Sequence, residues 1–138
     1  MQKDESFGVI PLTKERGVWE VFLIQHARGR YWGFPKGHAE SNETSEEAAF
    51  RELKEETNLV FIRYLKDEPL MEQYYFMKEG HRVFKRVLYF VAEVGGNVML
   101  QKEEIQDGVW LPMKDAIEKV THAEGKAILS QVEKILPN

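Results

Sequence analysis

The chain has 138 residues, 43% of them hydrophobic and 30% charged, which predicts a single globular domain spanning residues 1–138 with a core of ordinary size. It contains no cysteine, which excludes disulfides, thiolate metal sites and cysteine nucleophiles. Its formal net charge of -4 disfavours nonspecific nucleic-acid binding, which depends on an excess of Lys and Arg.

The N-terminal residues 1–6 lack the apolar segment of a secretion signal. No run of about 18 apolar residues occurs in the sequence, so a membrane span is not expected either. The lack of cysteine is consistent with a reducing compartment. We therefore expect a cytoplasmic protein that has no membrane partner.

Two apolar segments near the start of the chain predict β-strands at residues 7–12 and 19–25, joined by a polar turn at 13–17. The second segment is almost continuously apolar, which is typical of a strand covered on both faces. Residues 26–38 follow and are rich in glycine and cations, which predicts an irregular loop. The sheet should therefore lie between layers of helix.

The next segment predicts a helix at residues 45–57 with recognisable ends. Thr44 and Glu47 have the spacing of a capping box, in which each side chain bonds the other residue's backbone N–H. Asn58 tolerates the left-handed conformation of a helix C-terminus better than any residue except Gly. Both ends of the helix are thus defined by local chemistry.

Three glutamates of this helix, Glu52, Glu55 and Glu56, lie at positions i, i+3 and i+4 and share one patch of its surface. Like charges so placed repel unless a cation lies among their oxygens, and hard divalent cations prefer carboxylate oxygen. Arg51 lies four positions from Glu47 and from Glu55 and is placed to pair with both. The alternative, a solvated acidic helix, would alternate its charges more evenly. The cluster therefore indicates a divalent-metal site.

Three further strands are predicted at residues 59–65, 70–77 and 82–94. Alternation in the third predicts two faces, one with Lys85, Val87, Tyr89 and Val91 and the other with Phe84, Arg86, Leu88 and Phe90.

The C-terminal part predicts a short strand at residues 108–111 and two helices. Pro112 is placed to open the first helix, and Thr121 and Glu124 have the spacing of a capping box at the start of the second. Strands that are interrupted and closed by helices give an α/β sandwich around a mixed sheet.

Residues 37–59 resemble the Nudix box, written Gly-x5-Glu-x7-Arg-Glu-U-x-Glu-Glu-x-Gly-U, in which U is a bulky aliphatic residue. The matching positions are Gly37, Glu43, Arg51, Glu52, Leu53, Glu55, Glu56 and Leu59. The second Gly of the motif is replaced by Asn58, which can adopt the same left-handed backbone.

This resemblance implies a Nudix-type α/β/α sandwich and an enzyme that hydrolyses a nucleoside diphosphate linked to another group. It implies Mg2+, or Mn2+ as a substitute, bound by the three box glutamates Glu52, Glu55 and Glu56 and by Gly37. It implies a catalytic role for Arg51 in the same site. Glu56 is the expected base for the attacking water, and Glu55 stays open as the alternative because it lies on the same face. The chemistry fits, since phosphoryl transfer requires negative charge to be neutralised and a water to be held in line.

Three segments outside the box resemble the asymmetrical diadenosine tetraphosphate hydrolases of the animal and archaeal type. Residues 32–38 are similar to that group's Trp-x-x-Pro-Lys-Gly-His sequence before the box. Residues 87–94 are similar to its central strand, whose Tyr, here Tyr89, stacks on an adenine. Residues 102–104 are similar to a loop that supplies a further metal-binding glutamate, here Glu104.

Three cations complete the expected site, since Lys36, His38 and Lys85 are placed to meet phosphate oxygens. Each of these residues has a plainer alternative. Tyr89 could be an ordinary half-buried aromatic residue of a strand, and the cations could lie on a solvated loop or hairpin. Glu104 could be an exposed loop acid.

The sequence therefore predicts Mg2+-dependent hydrolysis of diadenosine tetraphosphate to ATP and AMP by a monomer. The expected partner is a small nucleotide and not a specific nucleic acid. Two alternatives within the family are a nucleoside triphosphate sanitiser and an RNA 5′-pyrophosphohydrolase. A non-catalytic nucleotide sensor is a third, although such a module would be expected to lose part of the glutamate cluster.

Overall fold

A computed structural model describes residues 2–137, so residues 1 and 138 of the predicted domain lie outside the described part. The strands are β1 (Gln2–Glu15), β2 (Val18–His26), β3 (Trp32–Gly33), β4 (Lys36–Gly37), β5 (Val60–Tyr64), β6 (Leu70–Lys78), β7 (His81–Gly95) and β8 (Ile105–Pro112). The helices are α1 (Ser45–Thr57), α2 (Met113–Lys119) and α3 (Ala123–Ile135).

All of these strands belong to one sheet, in which β1 and β7 are the central pair. These two run parallel, with Gln2 opposite Val83 and Leu12 opposite Glu93. The other pairs are antiparallel: β2 and β4 pair with β1, β5 and β6 pair with β7, and β3 and β8 pair with β2. The single parallel pair makes the sheet mixed, as predicted.

Helices cover both faces of the sheet, and the apolar side chains of the strands alternate between the two layers. Val9, Phe22 and Phe90 pack with Leu53 of α1. Ile10, Val21, Leu23, Val87 and Tyr89 pack on the opposite face with Ala116 of α2 and Leu129 of α3. The α/β/α sandwich is therefore confirmed, and so is the prediction that the second strand is covered on both faces.

The ends of α1 agree with the prediction. The backbone N–H of Glu47 donates to Thr44 Oγ1 at 3.1 Å, and the backbone N–H of Thr44 donates to Glu47 Oε1 at 2.9 Å. Asn58 has φ 68° and ψ 3°, the left-handed conformation, and its N–H donates to the Lys54 carbonyl. The capping box and the Asn C-cap are both confirmed.

The Asn58 side chain adds two bonds that the sequence did not indicate: its Nδ2 donates to the Asn97 carbonyl at 2.9 Å, and its Oδ1 accepts from Lys54 Nζ at 2.8 Å.

Asn58→Gly loses these bonds but accepts the positive φ freely, so we expect the free energy of unfolding to change by less than ~1 kcal/mol. Asn58→Ala loses the bonds and must also adopt the left-handed conformation, which Ala tolerates less well than Asn or Gly. We expect this variant to lose about 2 kcal/mol of the free energy of unfolding. Urea denaturation of the three proteins measures both; an Ala variant as stable as the Gly variant would contradict the left-handed strain.

Several element boundaries differ from the prediction. β1 begins at Gln2 and β8 at Ile105, because pairing with β7 and β2 extends both strands into polar sequence that apolar composition cannot mark. The stretch predicted as a loop at 26–38 includes the two short strands β3 and β4.

The predicted capping box at the start of the last helix is wrong. Thr121 Oγ1 accepts instead from the backbone N–H of Trp32 at 2.8 Å, so a long-range contact takes the place of the local cap. The helix begins at Ala123, with His122 as an N-cap that makes no side-chain bond to it. Within residues 2–137, no helix is long and apolar enough to cross a membrane.

Candidate active site

An open groove of about 680 Å³ is formed by α1, by strands β1, β4, β6 and β7, and by the loops before β3 and β8. It brings together most of the residues that the sequence singled out: Lys36, Gly37, His38, Arg51, Glu52, Glu56, Lys85 and Glu104. Glu55 and Tyr89 do not line the groove. The groove therefore brings eight of the predicted residues together, and their roles in a site stay predictions.

Gly37 is required by a close approach and not by its backbone angles. A Cβ built at this position would lie 2.2 Å from Glu52 Cδ and within 2.6 Å of both carboxylate oxygens. Pairing of Gly37 with Phe7 of β1 fixes the strand at this position. A side chain at position 37 would therefore displace the Glu52 carboxylate from its observed position in the groove.

Arg51 is the cation at the centre of the box carboxylates. Its Nε donates to Glu43 Oε2 at 2.6 Å, and its Nη1 donates to Glu52 Oε1 at 3.0 Å and to Glu55 Oε1 at 2.9 Å. Its Nη2 donates to the His38 carbonyl at 2.9 Å. Bonds to Glu43, then Glu55, outweigh burial and raise the pKa of Arg51 above its ordinary value. The guanidinium therefore joins the loop to three carboxylates of the motif.

The expected pair of Arg51 with Glu55 is confirmed, whereas the pair with Glu47 is wrong. Glu47 is occupied by the capping box, and Glu43 from the preceding loop takes its place. This arrangement explains how a glutamate eight positions before Arg51 belongs to the same cluster.

Glu56 is a buried carboxyl, 3% exposed, that faces the groove. Its Oε1 accepts from the backbone N–H of Lys36 at 3.2 Å. Burial is the main cause that raises the pKa of Glu56 to about 8, and the nearby carboxylates of Glu52 and Glu104 raise it further. Ionising this group without a cation is therefore costly, which is the electrostatic condition that a bound divalent cation would relieve.

The carboxylates fit a hard divalent cation by donor type. Glu104 is close enough to raise the pKa values of both Glu52 and Glu56, whereas Glu103 does not line the groove. Between residues 2 and 137, however, no three His or carboxylate side chains converge closely enough to hold a metal ion as they stand. Glu52 bonds Arg51 instead, and Glu56 bonds the backbone. The metal-ligand assignments of Gly37, Glu52, Glu55, Glu56 and Glu104 stay predictions.

Two of the three side chains expected to bind phosphate, Lys85 and His38, contact the carboxylate of Asp4. Lys85 is 6% exposed, and its Nζ donates to Asp4 Oδ2 at 2.7 Å and to Ser6 Oγ. His38 Nε2 lies 2.8 Å from Asp4 Oδ1. Burial raises the pKa of Asp4, but the bonds from Lys85 and His38 outweigh it and hold this pKa below its ordinary value. Asp4 was missed in the sequence because only the parallel register of β1 and β7 brings it to Lys85.

Lys36 lies between the groove and a second, smaller cavity and lines both. Burial lowers the pKa of its ammonium, while the carboxylate of Glu72 acts in the opposite direction. Its expected role in binding phosphate stays a prediction.

The smaller cavity, about 200 Å³, adjoins the groove and has aromatic walls. The Tyr31 ring stacks on His26 with centroids 4.3 Å apart, and Phe34 meets the Tyr89 ring edge-on at 5.3 Å. Tyr89 is only 3% exposed, and its role in stacking stays a prediction. Tyr31 and Tyr74 are half-buried and line both the cavity and the groove. No motif position marks these two residues in the sequence, so they were not predicted.

The chain was compared with known families and proteins. Residues 2–131 match the family described as NUDIX domain. The asymmetrical bis(5'-nucleosyl)-tetraphosphatase of Caenorhabditis elegans is 30% identical over 135 residues, which cover 96% of this chain and 96% of that protein. The 8-oxo-(d)GTP phosphatase of Mycolicibacterium smegmatis is 30% identical over 115 residues, which cover 83% of this chain but only 34% of that protein.

A solved structure of C. elegans Ap4A hydrolase has a TM-score of 0.73 and 27% sequence identity with this chain, and the match covers 97% of this chain and 98% of that one. The expected family resemblance is therefore confirmed along nearly the whole described chain. The protein belongs to the Nudix hydrolase family, as an enzyme that acts on phosphoric anhydrides.

Proposed function

We propose that the protein hydrolyses dinucleoside tetraphosphates asymmetrically, so that diadenosine tetraphosphate and water give ATP and AMP. The observation that carries the proposal is the continuity of the groove with the aromatic cavity through Tyr31, Lys36 and Tyr74. One base in the cavity would place its phosphate chain along the cations and carboxylates of the groove. The relation to the C. elegans tetraphosphatase over nearly the full length of both proteins supports the same substrate class.

The basic residues of the groove have two different roles in this proposal. Lys36, His38 and Lys85 line the groove, and their N–H groups would bind phosphate oxygens, those of His38 and Lys85 in place of or alongside Asp4. Arg51 holds the carboxylates of Glu52 and Glu55 in place. These contacts would hold the phosphate chain in one register relative to the carboxylates.

Glu56 is the preferred candidate for the base that takes a proton from the attacking water. It faces the groove, whereas Glu55 has a side chain 47% exposed, bonds Arg51 and does not line the groove. Mg2+, or Mn2+ in its place, bound to the carboxylates would neutralise the phosphate charge and acidify water. In the overall reaction the water oxygen bonds to phosphorus, and the bridging oxygen leaves with the other nucleotide.

The anchored base selects the bond that is cut, because a fixed base sets the number of phosphates between the cavity and the carboxylates. We expect ATP and AMP in equal amounts, and hydrolysis in 18O-labelled water followed by mass spectrometry should place the label in one of the two products only. ADP as the sole product would contradict the asymmetric cut.

Hydrolysis of a nucleoside triphosphate is the second candidate, favoured by the relation to the 8-oxo-(d)GTP phosphatase. Ranking kcat/KM over a panel of dinucleotides, nucleoside triphosphates and triphosphorylated RNA, with and without Mg2+, separates these activities. Good activity on a mononucleotide with none on any dinucleotide would replace the first proposal by the second.

We further propose that the chain is one domain and acts as a cytoplasmic monomer, and gel filtration would test the oligomeric state.

A further inference from the structure

Glu72 of β6 is a carboxylate on the wall of the aromatic cavity. Strand alternation turns Glu72 and Tyr74 inward, whereas Gln73 and Tyr75 between and beyond them are exposed. Within residues 2–137 the Glu72 carboxylate makes no hydrogen bond, although it is half-buried. Its oxygens are not sealed from the cavity, so they can accept hydrogen bonds from a ligand that enters it.

Two more residues with acceptor atoms, Glu124 and His26, line the same cavity, which Lys36 and tyrosine hydroxyls also line as donors. Glu124 lies in the first turn of α3 and contributes a second carboxylate. Burial lowers the pKa of His26 to about 4, and a bond to the Phe34 backbone acts in the opposite direction, so the ring is neutral near pH 7. In the neutral ring, Nδ1 donates to the Phe34 backbone and Nε2 carries a lone pair. The Nε2 atom is buried and makes no hydrogen bond with residues 2–137.

The size of the cavity limits the ligand to a part of a nucleotide. At about 200 Å³ it is smaller than the ~300–1,000 Å³ of pockets that hold whole drug-sized ligands. Its aromatic walls suit a planar ring, and its neighbour is the groove that contains the carboxylates and cations. A single base is therefore the ligand that matches both the shape and the position.

We infer that this cavity selects guanine over adenine, with the Glu72 carboxylate accepting hydrogen bonds from N1–H and the 2-amino group of the base. The inference rests on the proposed function, since the base is that of a bound nucleotide. Guanine presents these two donors side by side, which match the two oxygens of a carboxylate. Adenine has an acceptor at N1, where guanine has N1–H. The N1 lone pair of adenine would face the carboxylate, which repels it. The Glu124 carboxylate adds a further acceptor and favours the same base.

A second role for Glu72 must be separated from base selection. Its carboxylate acts electrostatically on Lys36, which also faces the phosphate groove. No hydrogen bond joins these two side chains within residues 2–137. If Glu72 acted only through Lys36, loss of the Glu72 charge would change kcat/KM for every nucleotide by the same factor. The ratio between a guanine and an adenine substrate therefore isolates base selection.

The test is Glu72→Gln, because a glutamine amide offers one acceptor and one donor and so matches adenine in place of guanine. In the unchanged protein we expect kcat/KM for diguanosine tetraphosphate to exceed that for diadenosine tetraphosphate. In the variant this ratio should fall by roughly 5- to 150-fold, the range for one bidentate base contact. The matched control is Glu68→Gln, an exposed glutamate in the turn before the same strand, which should leave the ratio unchanged.

Binding of GMP and AMP, measured by calorimetry, separates a failure of this inference from a failure of the proposed function. If dinucleotides are hydrolysed but the ratio is equal, or favours adenine, or does not respond to Glu72→Gln, the inference is overturned and the proposed function stands. If no dinucleotide is hydrolysed, tighter binding of GMP than of AMP that is lost in Glu72→Gln would still support the guanine site. Equal binding of GMP and AMP would overturn it.

Discussion

Replacing Glu56 by Gln is expected to lower kcat by about 100-fold or more, in the range for a general base or a metal ligand. The substitution keeps the size of the side chain and its ability to accept from the Lys36 backbone N–H. It removes one charge from the groove and any base at this position. The steady-state rate with diadenosine tetraphosphate and saturating Mg2+ measures the effect, and a rate near that of the unchanged protein would contradict the assignment of Glu56.

The same variant should be more thermally stable than the unchanged protein when metal is absent. Burial raises the pKa of Glu56 from 4.5 in the unfolded chain to about 8 in the folded one, so the folded state binds this proton more tightly. The stability that this group contributes is complete below pH 4.5 and is lost as the pH rises through 8. Gln has no proton to lose. In the presence of EDTA, melting temperatures should therefore differ most at pH 8 and above and converge near pH 4.5.

Glu55→Gln provides the comparison that identifies the base. Glu55 has a side chain 47% exposed, bonds Arg51 and does not line the groove. We expect a smaller loss of kcat than for Glu56→Gln. A larger loss would move the role of base to Glu55.

The helix that carries the site could be predicted because its signals are local. Thr44 and Glu47 are three residues apart, and Asn58 terminates the helix through its own backbone preference. The box residues could be recognised for the same reason, since their spacing along one helix fixes their relative positions. Alternation in the central strand was equally local and assigned Phe90 and Tyr89 to opposite layers.

The remaining features depend on contacts between distant segments. Asp4 meets Lys85 only through the parallel register of β1 and β7, which no local pattern encodes. Thr121 has the sequence of a helix cap but bonds Trp32 from another part of the chain, because tertiary contacts can replace a local bond of similar strength. Glu72 belongs to an unremarkable alternating strand, and its position in a cavity follows from the packing of α3 against that strand. Such sites become visible only when the chain is folded.

Replacing Arg51 by Gln is the second change with a large expected effect, and its sign for stability is opposite to that of Glu56→Gln. The guanidinium bonds Glu43, Glu52 and Glu55 at once, so its loss leaves three carboxylates facing one another. We expect a lower melting temperature at pH 8 in the absence of metal, partly restored by added NaCl because salt screens the repulsion. Arg51→Lys should recover little, since one ammonium cannot reproduce the fork of bonds.

Arg51 acts through the carboxylates that it holds, so activity should fall by about 10- to 100-fold, as for other residues that orient metal-binding groups. The Mg2+ concentration required for half-maximal rate should rise, which a purely structural role would not produce. The control is Arg63→Gln. Arg63 lies on β5, does not line the groove, and its Nε is 2.7 Å from Glu93 Oε1. This variant should retain nearly full activity. Because Arg51 joins the loop of Glu43 to the helix of Glu52, equal effects of the two arginine substitutions would mean that the box is held together by its backbone alone.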